Sequence, residues 1–217
     1  MLARIEAAAA RAGRDPADIE LVAVSKGVDA PRLRAAVAAG LTTFGENRVQ
    51  EAEAKVPYVS GASWHLIGHL QSNKAARAVA LFDVVESVDS LDLARRLGRL
   101  AYDARDGRPL PVYLQVNVDR DPNKEGFDPD ALSEALPALL EVEGLDVMGL
   151  MTVGRMVGVA ESARPTFVAL REVSAELRRR DGRLGPGLSM GMSDDFEVAV
   201  EEGATIVRVG RAIFGGR

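Results

Sequence analysis

The run Leu21-Val22-Ala23-Val24-Ser25-Lys26 is short, apolar and valine-rich, and it stops on a lysine. Its length and content read as a buried strand. Burial disfavours an ammonium, so a lysine closing such a strand is there for its amine or else reaches into solvent. Lysine is scarce in this chain: Lys26, Lys55, Lys74 and Lys124 are the only four among 27 basic residues.

Outward from that run, similar runs recur at 41–46, 64–68, 84–88, 112–117, 145–152, 187–190 and 205–209, the last continuing to Phe214. Helical segments are expected at 2–12, 31–40, 47–55, 73–81, 90–104, 129–141 and 161–180. One more is expected from Ser193, read as its cap with Asp194 and Asp195 in the first turn, to Gly203. Strands alternating with helices imply parallel pairing. Eight such units favour a closed (β/α)8 TIM barrel, with an open doubly wound sheet as the alternative. No helix is expected after the eighth strand, which leaves that place in the outer ring to the N-terminal helix. No linker, low-complexity tract or charge block divides the chain, so residues 1–217 read as one domain.

Composition narrows the function. A net charge of -5 gives no reason to bind nucleic acid or an anionic membrane. The absence of cysteine removes disulfides, thiolate nucleophiles and zinc–cysteine sites, and fits a reducing compartment. The alanine-rich N-terminus carries charges throughout and is not a signal peptide, and no apolar run reaches membrane-span length. A cytoplasmic protein is expected.

A barrel of this kind places its site at the C-terminal ends of the strands, with phosphate held by the loops after strands seven and eight. Those loops read Gly187-Leu188-Ser189-Met190-Gly191-Met192-Ser193 and Arg208-Val209-Gly210-Arg211. Glycines let backbone approach an anion, and hydroxyls and amides donate to it. A strand-end lysine opposite such a cup suits pyridoxal phosphate. Gly187-Leu188-Ser189-Met190-Gly191 also matches a nucleophile elbow, but a hydrolase needs its histidine after the serine, and His65 and His69 both precede it. These histidines lack a zincin glutamate and an evident third ligand, so no metal site is expected and loop hydrogen bonding is the role expected of the pair.

Taken together, Leu-Val-Ala-Val-Ser-Lys at 21–26, Phe-Gly-Glu-Asn-Arg-Val-Gln-Glu at 44–51 and Trp-His-Leu-Ile-Gly-His-Leu-Gln-Ser-Asn-Lys at 64–74 resemble one family over nearly the whole chain. Gly-Leu-Met-Thr at 149–152, Leu-Ser-Met-Gly-Met-Ser at 188–193, Val-Arg-Val-Gly at 207–210 and Ala-Ile-Phe-Gly at 212–215 follow in order. That family is the pyridoxal-phosphate homeostasis proteins, which share the barrel of the alanine racemase N-terminal domain (fold type III of the pyridoxal-phosphate proteins). The resemblance implies Lys26 as the Schiff-base lysine, and Ser189, Gly210 and Arg211 as phosphate binders. It further implies Arg208 facing the pyridine nitrogen and keeping it unprotonated, and Asn47 within reach of the ring. Partial burial of Lys26 beside Arg208 would favour the neutral, imine-forming amine. Arg211 departs from the small hydroxyl residue usual in the family.

The resemblance implies a cofactor carrier or buffer without catalytic turnover, monomeric, handing its cofactor to apo-enzymes. The alternative is an amino-acid racemase, which needs a second base. Tyr58, Tyr102 and Tyr113 lie outside any segment matching the racemase tyrosine. A third reading, an empty barrel serving as an interaction module, requires no cofactor. Lys124, on the same barrel face as Lys26, is a candidate for holding the cofactor transiently during loading or release.

Overall fold

The computed structural model describes residues 1–154 and 158–215. Its strands are β1 (Glu20–Val24), β2 (Thr43–Glu46), β3 (Ser63–Leu66), β4 (Val84–Val88), β5 (Leu110–Gln115), β6 (Leu145–Met151), β7 (Gly187–Ser189) and β8 (Ile206–Val209). Neighbours pair in parallel in chain order, and β8 returns to β1, closing the barrel and excluding the open sheet. The helices are α1 (Leu2–Arg11), α2 (Ala30–Ala38), α3 (Val49–Glu53), α4 (Ala75–Leu81), α5 (Leu91–Ala104), α6 (Pro129–Leu140), α7 (Arg164–Arg180), α8 (Phe196–Glu201) and α9 (Arg211–Phe214).

Local chemistry explains several boundaries. Asp29 caps α2, its Oδ1 accepting from the Arg32 amide at 3.0 Å, and Pro31 sits in the first turn, where no amide is needed. Ser90 caps α5 through the Leu93 amide at 3.3 Å, as its sequence position indicated.

Side chains alternate across each strand. Ala23, Phe44, Leu66, Leu114, Leu150, Leu188 and Val207 face outward into the core shared with the helices. Inside the barrel, Val22, Ile67, Tyr113, Met151 and Ile206 form a smaller apolar cluster. Two residues away along their strands, and so on the same interior face, lie the buried polar residues His65, Gln115 and Arg208.

Three expectations need correction. A short helix, α9, does follow β8. Ser193 does not cap α8; Asp195 precedes that helix, and its Oδ1 accepts from the Met192 amide at 2.6 Å. The first strand ends at Val24 rather than Lys26. The N-terminal helix does pack where expected, beside α8. Arg4 and Arg11 bond Glu197 and Glu201, and Arg14 Nη1 donates to the Val200 and Ala204 carbonyls at 2.7 and 2.8 Å. Ala8 and Ala9, small enough for that close contact, are fully buried. Among the described residues, no helix is long and apolar enough to cross a membrane.

Candidate functional site

Lys26 stands at the tip of a turn just past β1. The Val28 amide donates to the Ser25 carbonyl at 2.9 Å, and Gly27 has φ +70°. That is the position where a type II turn demands glycine. Ser25 is fully buried but Lys26 is exposed, so the expected partial burial of its amine is not found. The turn lifts the side chain off the strand and out to the barrel mouth.

There Lys26 borders a cavity of about 510 Å³, lined also by Val24, Asn47, Ile67, Ser193, Arg208, Gly210 and Arg211. Register explains the assembly. Val22 pairs with Arg208 and Ala23 with Val209, so the chain beyond β8 runs alongside the chain beyond β1. Gly210 is pressed against β1: a Cβ there would lie 3.1 Å from the Val24 carbonyl oxygen, tighter than a side chain tolerates comfortably. Five of the six residues expected at the cofactor thus share one cavity.

The sixth, Ser189, does not. Its strand position turns it into the barrel interior, where it is fully buried. Its hydroxyl donates to Glu86 Oε2 and accepts from Arg208 Nη1. Arg208 Nη2 donates to the Thr152 carbonyl at 2.7 Å, and His65 Nδ1 donates to Glu86 Oε1 at 2.7 Å. This network sets three charges. Burial alone raises a carboxyl, but the bond and charge of His65, the charge of Arg208 and the Ser189 hydroxyl together hold Glu86 below its ordinary value. Burial lowers an imidazole, yet Glu86 outweighs it and raises His65. Burial also lowers Arg208, against the opposing charges of Glu86 and Asp195. A guanidinium stays protonated in proteins, so the site holds a fixed cation in its wall.

Ser193, read from sequence as a helix cap at the end of the phosphate loop but not named among the phosphate binders, is the serine that lines the cavity, and its Oγ accepts from the Gly210 amide at 3.3 Å. The available signal was its place in the loop beyond β7, where a hydroxyl faces the barrel mouth rather than the interior. Arg211 turns its guanidinium to Asp194, an exposed pair on the rim. Lys124 Nζ donates to the Val153 carbonyl at 3.1 Å, and Val153 lines the same cavity, so this lysine reaches the site's edge through backbone. The two histidines serve different places. His65 is in the interior, whereas His69 Nδ1 meets Asp89 at 2.9 Å on the barrel face, as a loop residue should. Glu125, unforeseen from sequence, comes beside that pair, its carboxylate within 4.8 Å of both.

A family profile described as the alanine racemase N-terminal domain matches residues 2–217. The pyridoxal phosphate homeostasis protein of Pseudomonas aeruginosa is 43% identical over 99% of this chain and 92% of that protein. PipY of Synechococcus elongatus, solved with pyridoxal phosphate bound, superposes with a TM-score of 0.85 at 42% identity, covering 98% of this chain and all of that one. An alanine racemase from Clostridium difficile shares the fold alone, with a TM-score of 0.77 at 14% identity over 56% of its length. The barrel, the cavity beyond β1 and β8 and the full-length likeness agree: the chain belongs to the pyridoxal phosphate homeostasis protein family, within the alanine racemase N-terminal domain family.

Proposed function

We propose that this chain binds pyridoxal 5′-phosphate in the 510 Å³ cavity and serves its intracellular homeostasis as a carrier or buffer. The observation that carries this reading is the convergence of a turn-tip amine, a buried guanidinium and a glycine–serine anion cup on one cavity of cofactor size. Likeness to PipY, solved with this cofactor bound, supports it. When bound, the cofactor supplies an aldehyde that a lysine amine holds reversibly.

In this reading Lys26 is the amine, raised on its turn to meet the aldehyde. Arg208, in the cavity wall with Glu86 as its counter-ion, would face the ring nitrogen, and its fixed charge would disfavour a proton there and weaken the electron sink that turnover would need. The Ser193 hydroxyl and the amides of Gly210 and Arg211 receive the phosphate, and Asn47 borders the ring. Ser189 acts beneath, through Arg208, and not on the phosphate.

Carriage without turnover is favoured over racemisation. Among the described residues, no tyrosine lines the cavity: Tyr58 and Tyr102 are exposed elsewhere and Tyr113 is inside the barrel. A racemase needs a second base in reach of the substrate. The protein acts in the cytoplasm as a monomer and passes its cofactor to apo-enzymes. Steady conversion of L-alanine to D-alanine by purified protein would reject the non-enzymatic reading; none is expected. Lys124→Ala is expected to slow cofactor release to an acceptor apo-enzyme, and a wild-type rate would remove Lys124 from the site.

A further inference from the structure

A second buried network, distinct from that of Arg208, grips the turn carrying Lys26. Lys55 is one of the four lysines, yet it is only 7% exposed. Its Nζ donates to the Ser25 carbonyl at 2.8 Å and to Glu46 Oε1 at 2.6 Å. Ser25 Oγ donates to the same Glu46 oxygen at 2.6 Å. On the other side of Lys26, the Gly27 amide donates to Glu51 Oε2 at 3.2 Å, and Glu51 lies 3.7 Å from Lys55 Nζ. The peptide groups before and after Lys26 are therefore both held by charged side chains.

Nothing in the fold alone demands this. A turn at a strand end closes with its own backbone bond, which is present here at 2.9 Å. Burying an ammonium beneath it is an expensive addition. The pair is also incompletely served, since Glu46 Oε2 is buried without a hydrogen-bond partner. A buried ion pair of this kind is poor value for stability, but it fixes geometry. The geometry fixed is the Cα of Lys26, and hence where its amine can reach.

We infer that Lys55 and Glu51 are positioning residues for the cofactor lysine: they hold the Ser25–Gly27 turn so that the Lys26 amine meets the aldehyde. The inference rests on Lys26 being that lysine. A misplacement of about 1 Å in a reacting group costs up to ~100-fold in rate, so loosening this turn slows imine formation even where the fold survives.

The test follows the visible absorption band after pyridoxal phosphate is added to purified apo-protein, in wild type, Lys55→Met, Glu51→Gln, Lys26→Ala and Lys74→Met. Lys74 borders the neighbouring groove but has no part in the network. Hydrogen exchange of the Gly27 amide in the apo-proteins provides a readout independent of the cofactor. Expected are a band forming about tenfold or more slowly in Lys55→Met and Glu51→Gln, faster Gly27 exchange in both, and wild-type behaviour in Lys74→Met. Wild-type band kinetics in folded Lys55→Met and Glu51→Gln, with the band lost in Lys26→Ala, would overturn the positioning role while sparing the lysine. A band persisting in Lys26→Ala would overturn both. If Lys55→Met does not fold, Glu51→Gln decides, because it keeps the side chain's shape and the Lys55–Glu46 pair and removes only the negative charge that faces the Gly27 amide and Lys55.

Discussion

Glu46 and Glu86 are both fully buried, yet their carboxyls shift in opposite directions. Burial raises Glu46, and its bonds to Lys55 and Ser25, both on one oxygen, do not reverse that, with the like charge of Glu51 adding to the rise. Glu86 meets the same penalty but has a partner on each oxygen, His65 on one and Ser189 on the other, with Arg208 Nη1 3.9 Å away. Burial does not set the sign by itself; each carboxyl has two donors, and what differs is their placement and the neighbouring charges, Glu51 beside Glu46 and the cations His65 and Arg208 beside Glu86. The two carboxylates accordingly suit different tasks. Glu86 is a firm counter-ion that fixes Arg208 in its wall, and Glu46 is one end of a clamp on the Lys26 turn.

That contrast is open to direct test. The largest effect is expected from Glu86→Gln, which leaves Arg208 and His65 buried without their anion and costs about 3–5 kcal/mol. Denaturant unfolding at neutral pH measures it, and a loss no greater than that of Glu46→Gln would erase the distinction. Glu46→Gln is expected to cost about 1 kcal/mol, because Lys55 keeps the Ser25 carbonyl and Glu51.

Dependence on pH sharpens the comparison. Glu86 lies below its ordinary 4.5, so its contribution is full above that pH and is lost as pH falls through the lower folded value. His65 lies above its ordinary 6.5, so its contribution is full below that pH and is lost as pH rises through the higher folded value. Between those limits the pair contributes fully. Unfolding free energy measured against pH is expected to fall on both sides in wild type and to flatten on both sides in Glu86→Gln. An acid limb unchanged by that substitution would assign acid sensitivity elsewhere.

Smaller effects separate the serines. Ser193→Ala is expected to weaken pyridoxal phosphate binding by about 1.5 kcal/mol, roughly tenfold, by removing a hydroxyl from the anion cup. Ser189→Ala is expected to lower stability by about 1–3 kcal/mol, since Glu86 Oε2 and Arg208 lose a shared partner. The reverse pattern in titration and unfolding would return Ser189 to the phosphate. Least of all, Arg211→Thr breaks an exposed ion pair with Asp194 worth about 0–1 kcal/mol. Its cofactor affinity is expected to stay within about fivefold of wild type.

The barrel could be read from the chain because each strand and helix carries its own period, and parallel order follows from their alternation. Lys26, Asn47, Arg208, Gly210 and Arg211 could be placed because strand ends converge on one mouth. What escaped depends on single-residue register. Ser189 and Ser193 sit four residues apart in one loop motif, and only the point where β7 stops decides which faces the interior. Residues after β8 read as further strand because Ile213 and Phe214 are apolar, yet they form a helical turn, with the Ile213 and Phe214 amides bonded to the Gly210 carbonyl. Lys55 could not be placed from sequence, since its partners come from the β1 turn and the end of β2, and only the folded barrel brings them beneath α3.

An absorption spectrum of the purified protein with pyridoxal phosphate, beside Lys26→Ala, bears most directly on the cofactor reading. A visible band that survives desalting in wild type and is lost in Lys26→Ala is the expected result. No band in wild type, or the same band in Lys26→Ala, would contradict it; the first would favour an empty barrel acting through its surface, and the second would move the amine elsewhere.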